Sequence, residues 1–128
     1  MPDCRLNIEE KQDVTIVSFK DSSIMDTVTA QRLGRELYAL VDEPRGQHLL
    51  IDFCNIRFLS SQTLGVLMTL RRKADKGKID VVLAGLRPEL ARVFQVTNLD
   101  KMFRFFESKD AALKHFGVEP EEPATPSE

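Results

Sequence analysis

Two adjacent hydroxyls, Ser60 and Ser61, stand just ahead of an apolar pattern, Leu64, Val66, Leu67, Met68 and Leu70, that recurs at helical spacing. A serine at such a turn can do one of two things. It can cap the helix, accepting a hydrogen bond from a free backbone N–H for a gain of about 1 kcal/mol. Or its oxygen can accept a phosphoryl group, which adds nearly two negative charges where the helix dipole tolerates them. One of the pair is expected to cap whatever the other does. A phosphate here would leave the fold intact while changing the sign of the adjoining surface, so a partner packing apolar groups against it would be repelled. That is the chemistry of a binding switch.

The other reactive side chains fit enzymatic chemistry poorly. His48 and His115 are each isolated from other ligand types in sequence and are expected to be surface residues. No nucleophile elbow, phosphate-binding glycine loop, dinucleotide fingerprint or metal-ligand spacing occurs. Asp52 at a strand end invites comparison with a phosphoaspartate. That chemistry needs an acidic pair for a divalent cation and a later lysine, and the segments Phe19-Lys20-Asp21 and beyond Leu86 do not supply them. Cys4 and Cys54 are too few for a disulfide framework, and Cys54 is expected to be a small buried hydrophobe. The chain is therefore expected to be neither an enzyme nor dependent on a cofactor.

Several elements must hold the serines in place. Leu49-Leu50-Ile51 leading into Asp52-Phe53-Cys54 predicts a buried strand, and Ser60-Ser61 follows a short connection. Arg71, Arg72, Lys73 and Lys76 gather near the end of the helix that follows, where cations suit the dipole, and Gly77 is its expected stop. Before this unit, Leu6 and Ile8, then Val14, Ile16, Val17 and Phe19, alternate around Glu10–Asp13 and predict an antiparallel hairpin. Lys20–Ser23 reads as a loop. Asp26 or Thr27 can cap a helix carrying Ala30, Leu33, Leu37, Leu40 and Val41, ended by Pro44-Arg45-Gly46. After it, Val81–Ala84 predicts another buried strand, and Pro88 opens a short helix with Leu90, Ala91, Val93 and Phe94. Phe103, Phe105 and Phe106 suggest a short edge strand, and Ser108 can cap a last helix closed by Gly117.

The implied order is β-β-α-β-α-β-α-(β)-α. It predicts a single α/β domain with a mixed sheet of four to five strands, helices packed against it and right-handed crossovers. At 128 residues, 42% apolar and 30% charged, the chain is long enough for one real core. Net charge is −2, with four glutamates in the proline-rich tail 118–128, where disorder is expected. That balance argues for neither nucleic acid nor an anionic membrane as partner. No apolar stretch approaches a membrane span and the N-terminus does not read as a signal peptide, so a cytoplasmic location is expected.

Asp52 through Gly65, DFCNIRFLSSQTLG, resembles the strand-loop-helix segment of STAS domains, specifically the bacterial anti-sigma factor antagonists. Ile24–Ala30 is similar to the family's stretch ahead of its first helix. Leu86–Leu90 and Val96–Phe103 resemble its late helix and the turn after it. The resemblance runs in order over residues 5–117, and implies a STAS domain over 1–117 with 118–128 as a tail. It further implies a non-catalytic module that binds a serine-kinase anti-sigma factor of histidine-kinase-like fold, is released by phosphorylation of one serine, and is reset by a serine phosphatase. Alignment on Leu64-Gly65 puts the phosphoacceptor at Ser61, with Ser60 as the alternative, and Asp26 near the kinase's nucleotide. Ser60, Gln62 and Thr63 stand where family members often carry aspartate, a small residue and glycine. With Met25 and Leu59 these positions make up the expected partner-binding surface. Met25, Phe58 and Leu59 either form an apolar rim around the acceptor or belong to the core. A second implied function is a phosphorylation-independent scaffold or sensor domain within a larger signalling assembly.

Overall fold

The computed structural model describes residues 6–20, 23–24, 27–43 and 47–117. Its elements in order are β1 (Leu6–Lys11), β2 (Val14–Phe19), β3 (Ser23–Ile24), α1 (Thr27–Asp42), β4 (His48–Asp52), β5 (Phe58–Leu59) and α2 (Ser61–Gly77). There follow β6 (Asp80–Ala84), α3 (Pro88–Val96), a 3₁₀ turn (Leu99–Lys101), β7 (Arg104–Phe106) and α4 (Lys109–His115). Five strands form one sheet in the order β1-β2-β4-β6-β7, while β3 and β5 pair separately. β1 runs antiparallel to β2, as the alternation predicts. β2, β4, β6 and β7 are mutually parallel, because α1, α2 and α3 carry the chain back between them. The mixed α/β sheet with an initial hairpin is thus present, with β7 as the short edge strand.

Strand alternation divides the interior into two clusters. On one face Val17, Leu49, Ile51, Val81 and Leu83 meet Leu33 and Leu37 of α1, Leu67 and Leu70 of α2, and Leu90 and Phe94 of α3. Each such leucine or phenylalanine stabilises the fold by roughly 1.5–3 kcal/mol. On the other face Ile16, Leu50, Val82 and Ala84 are covered by Ala112 and Leu113 of α4. Three helices thus cover one side of the sheet and one short helix covers the other. No helix among the described residues is long and apolar enough to cross a membrane.

Three local features depart from the sequence-based expectation. α2 runs through Gly77, and the left-handed residue that ends it is Lys78, at φ 59°. The Lys78 N–H reaches the Asp75 carbonyl and the Ile79 N–H the Ala74 carbonyl, a Schellman motif built without glycine at its left-handed position. Half-buried Ile79, packed on the core, is the hydrophobic anchor that holds this turn. Second, β4 stops at Asp52, so Cys54 falls in a turn and is exposed instead of buried. Third, Ser23 of the expected Lys20–Ser23 loop lies in β3, a strand too short to leave any periodicity. The expected caps and stops at Asp26 and Pro44–Gly46, and the tail 118–128, lie outside the described residues.

Candidate functional site

The connection from β4 to α2 is tied to its neighbours by hydrogen bonds and buried side chains. Phe53 N–H donates to the Ala84 carbonyl at 2.8 Å, prolonging the β4–β6 pairing by one bond. Phe53 and Ile56 are buried, and the Asn55 side-chain amide donates to the Phe19 carbonyl at 2.9 Å, which ties the loop to the end of β2. The chain then enters β5, where Phe58 and Leu59 lie opposite Ser23 and Ile24 in parallel register. This pairing sets β3, which precedes α1, parallel to β5, which leads to the serines. Met25 and Asp26, which the resemblance implies meet the serine loop, lie outside the described residues.

Ser60 is the cap. Its backbone is extended (φ −81°, ψ 165°), and its Oγ accepts the Thr63 N–H at 3.2 Å while lying 3.1 Å from Thr63 Oγ1. Its carbonyl accepts the Leu64 N–H at 3.2 Å. Thr63 is fully buried, at 0% exposure, so its β-branched side chain acts from beneath the surface by holding the capping hydroxyl. Ser61, the first residue of α2, is exposed, and its hydroxyl takes no part in this cap. The helix's first turn carries no acidic residue that would oppose an added anion. The two possibilities open to a serine at this turn are therefore divided between neighbours: Ser60 is spent on the backbone, and Ser61 is available.

Around Ser61 the surface is partly apolar. Phe58 is 60% exposed, whereas Leu59 is half-buried and packs on the core. Of the expected rim, then, Phe58 lies on the surface and Leu59 belongs largely to the interior. Gln62 is exposed and lies with Gly65, Val66 and Thr69 along a groove whose far wall is Ala30, Gln31 and Tyr38 of α1. Gly65, one turn after Ser61, is exposed, and a Cβ built on it would meet nothing within 4 Å. The fold does not require glycine there. It leaves a bare stretch of helix next to the hydroxyl, a feature that sequence reasoning used only to fix the alignment.

The alternative centres are occupied by structural work. Asp52 is 7% exposed; one carboxylate oxygen accepts the Cys54 N–H at 3.1 Å and the other lies 3.5 Å from Cys54 Sγ. Gly85, at φ +73°, lets the β6 end pass this carboxylate, since a Cβ there would come within 2.8 Å of Asp52 Oδ1. Burial first, then the Asp52 charge and its hydrogen bond, push the Cys54 thiol pKa up. That disfavours the thiolate a nucleophilic cysteine needs. His48 pairs with Asp80 at 3.2 Å and stacks on Phe116, and His115 lies 3.0 Å from Arg104 Nη1. Among the described residues no group of three or more His, Cys, Asp or Glu could hold a metal ion.

Comparison with known proteins agrees with this fold. The family model for the STAS domain matches residues 5–112. A putative anti-sigma factor antagonist, BtrV of Bordetella bronchiseptica, is 25% identical over 93 residues, covering 73% of this chain and 79% of that protein. An anti-sigma factor antagonist from Mycobacterium paratuberculosis has the same fold at a TM-score of 0.74 and 29% identity, covering 86% of this chain and 91% of that one. The Bacillus cell fate determinant SpoIIAA in its phosphorylated form aligns at a TM-score of 0.68 with 12% identity, over 87% and 98% of the two chains.

Proposed function

The chain belongs to the STAS domain family, and from that premise we propose that it is an anti-sigma factor antagonist switched by phosphorylation of Ser61. The observation that carries this reading is the division of labour at α2: Ser60 caps the helix, leaving the exposed Ser61 hydroxyl free to react. A structural relative solved in its phosphorylated form supports the compatibility of the fold with a phosphate. The partner is a serine-kinase anti-sigma factor of histidine-kinase-like fold, met in the cytoplasm. It contributes ATP, the divalent cation and the base; this chain contributes only the acceptor. Ser61 Oγ attacks the γ-phosphorus, its proton passes to the kinase's base, and ADP leaves.

The consequence is electrostatic. Before transfer, Phe58, Gln62 and the bare helix at Gly65 offer a surface of low charge on which a partner can close. Afterwards a strongly hydrated dianion stands in it, and closing the interface requires stripping its water. A serine phosphatase would restore the first state. Asp26 and Met25, which follow β3, are assigned to the same docking surface, and Thr63 serves it indirectly through the Ser60 cap.

The test is to incubate the protein with its cognate kinase and ATP and locate the phosphate by mass spectrometry. Phosphate at Ser61 is the expected result, together with Ser61→Asp weakening kinase binding on the order of 100-fold. Label confined to Ser60 would overturn the assignment of Ser61. A stable multi-protein assembly indifferent to both Ser61→Ala and Ser61→Asp would instead establish the phosphorylation-independent scaffold.

A further inference from the structure

Beyond Gly117 the chain continues through residues 118–128, VEPEEPATPSE, with four glutamates, three prolines and no base. The last described turn, from which this tail departs, sits beside a basic groove. His115 Nε2 lies 3.0 Å from Arg104 Nη1, and the Phe116 ring stacks on His48 at 4.2 Å. His48 is in turn held to Asp80 at 3.2 Å. Asp80 and Arg104 open β6 and β7, and both line a groove of about 280 Å³ together with Arg71, Asp75 and Lys101. The two carboxylates of this groove are engaged: Asp75 accepts from Arg71 Nε at 2.9 Å, and Asp80 holds His48. Lys101 and Arg104 are exposed, and neither has a carboxylate partner among the described residues.

We propose that the acidic tail docks back onto this groove of its own domain, with the carboxylates of Glu119, Glu121 and Glu122 set against Arg104, Lys101 and Arg71. Reach is no obstacle. Glu119 follows Gly117 by two residues, a span of up to about 7 Å. Pro120 and Pro123 favour an extended chain at roughly 3.1 Å per residue, which spreads the three carboxylates along the groove. Exposed ion pairs are individually weak. Several of them on a short tether act at an effective concentration in the millimolar range, which no single pair in free solution enjoys. The tail has too little apolar surface to build a core of its own. Charge must therefore hold it, and salt must release it. A polymer with a phosphate at every unit fits less well, because Asp75 and Asp80 oppose densely packed negative charge. Arg71 lies ten residues beyond Ser61, about 15 Å along α2. The docked tail thus covers the basic end of the domain and leaves the Ser61 face open, so this proposal is independent of the switch.

The experiment compares amide shifts of the full ¹⁵N-labelled chain at about 0.01 M and about 1 M sodium chloride, between which the screening length falls from roughly 30 Å to roughly 3 Å. The amides of Lys101, Met102 and Arg104 should move together with those of Glu119, Glu121 and Glu122 as salt rises. A full-length variant with Glu119→Gln, Glu121→Gln and Glu122→Gln, which alters no residue of the described domain, should show the high-salt groove shifts already at low salt. Lys101→Glu with Arg104→Glu should release the tail, and adding Glu119→Lys and Glu121→Lys should bring it back, a rescue that a local disturbance of the groove would not give. Groove shifts indifferent to the three glutamines, or tail amides indifferent to the loss of Lys101 and Arg104, would overturn the proposal. Shifts that grow with protein concentration would overturn it too, by placing the tail on a second copy. Should the double groove variant not fold, the glutamine variant and the salt comparison on the unaltered chain decide the matter.

Discussion

Two helices of this molecule begin in the same way and differ in what they can do next. α2 is capped by Ser60, whose Oγ accepts the Thr63 N–H at 3.2 Å, and α4 by Ser108, whose Oγ accepts the Ala111 N–H at 3.1 Å. Both caps are extended serines bonded to the third helical residue. After the cap the resemblance ends. α2 continues with an exposed hydroxyl, no acid in its first turn and seventeen residues of helix locked under α1. α4 continues with Lys109 and Asp110, is seven residues long, and starts in a groove it shares with Asp52 and Cys54. A capping serine is therefore a structural part. A site needs a further hydroxyl that the backbone does not use, surroundings that accept negative charge, and a helix stable enough not to move when the charge arrives.

The sharpest way to separate the two regions is to remove the packing of one. Leu113 and Ala112 are the fully buried residues of α4. Leu113→Ala should cost about 2–5 kcal/mol in urea unfolding, because so short a helix has little else to hold it. Phosphorylation of Ser61 should nonetheless persist below the unfolding midpoint, since α2 is secured on the opposite face of the sheet. Loss of Ser61 labelling in folded Leu113→Ala protein would show that the two regions are coupled.

The caps themselves come next in size. Ser60→Ala should destabilise by about 1 kcal/mol, with an added increment from the buried Thr63 hydroxyl, which loses a neighbour at 3.1 Å. Ser108→Ala, at an exposed cap on a short helix, should cost no more than that, and Ser61→Ala should stay within about 0.5 kcal/mol. Denaturant midpoints of the three variants rank the hydroxyls directly. If Ser61→Ala proved as damaging as Ser60→Ala, the assignment of cap and acceptor would be wrong.

Gly65 gives a smaller change with opposite signs in two assays. A helical glycine with nothing within 4 Å of a would-be Cβ is replaceable at no steric cost. Gly65→Ala should therefore stabilise the protein by about 0.5–1 kcal/mol. If the partner closes on the bare helix beside Ser61, the same methyl group should weaken kinase binding. Gly34 is the internal control: a Cβ there would sit 3.3 Å from Val66 Cγ2, so Gly34→Ala should fail to stabilise. Unchanged kinase affinity in Gly65→Ala would move the docking face away from this turn.

Much of this architecture is legible in the residues, and its limits have physical causes. The hairpin, the apolar runs of β4 and β6, and the helical stripes of α1 and α2 follow from periodicity, because each buries one face or both. Pro88 at the start of α3 and Ser108 at the start of α4 mark their helices by local backbone chemistry. The β3–β5 pair escapes notice because two residues carry no period. Lys78 replaces Gly77 as the left-handed residue because the half-buried anchor at Ile79 sets where the helix must stop. Near the site, the serine pair is visible in sequence, but which serine caps is decided by a single turn of geometry.

The smallest effect tests whether the start of α4, unlike the proposed phosphate site at the start of α2, resists an anion. Cys54 is exposed as a residue, yet it lines the groove at the start of α4, and partial burial there together with Asp52 raises its thiol pKa. The thiol thus reports on an environment that resists negative charge. Only the thiolate reacts with iodoacetamide, so alkylation of Cys54 should rise at higher pH in the folded protein than in urea, read site by site by mass spectrometry to keep Cys4 apart. A raised folded pKa favours the neutral thiol, so its contribution to stability is full below the unfolded pKa and is lost as pH rises through the folded value. Asp52→Asn removes the charge but not the burial, and should move the profile only part of the way back. If the folded profile coincided with that in urea, or lay below it, the groove would tolerate an anion. Ser108 would then differ from Ser61 only in already being spent on its cap, and the contrast between the two helix starts would rest on hydrogen bonding alone.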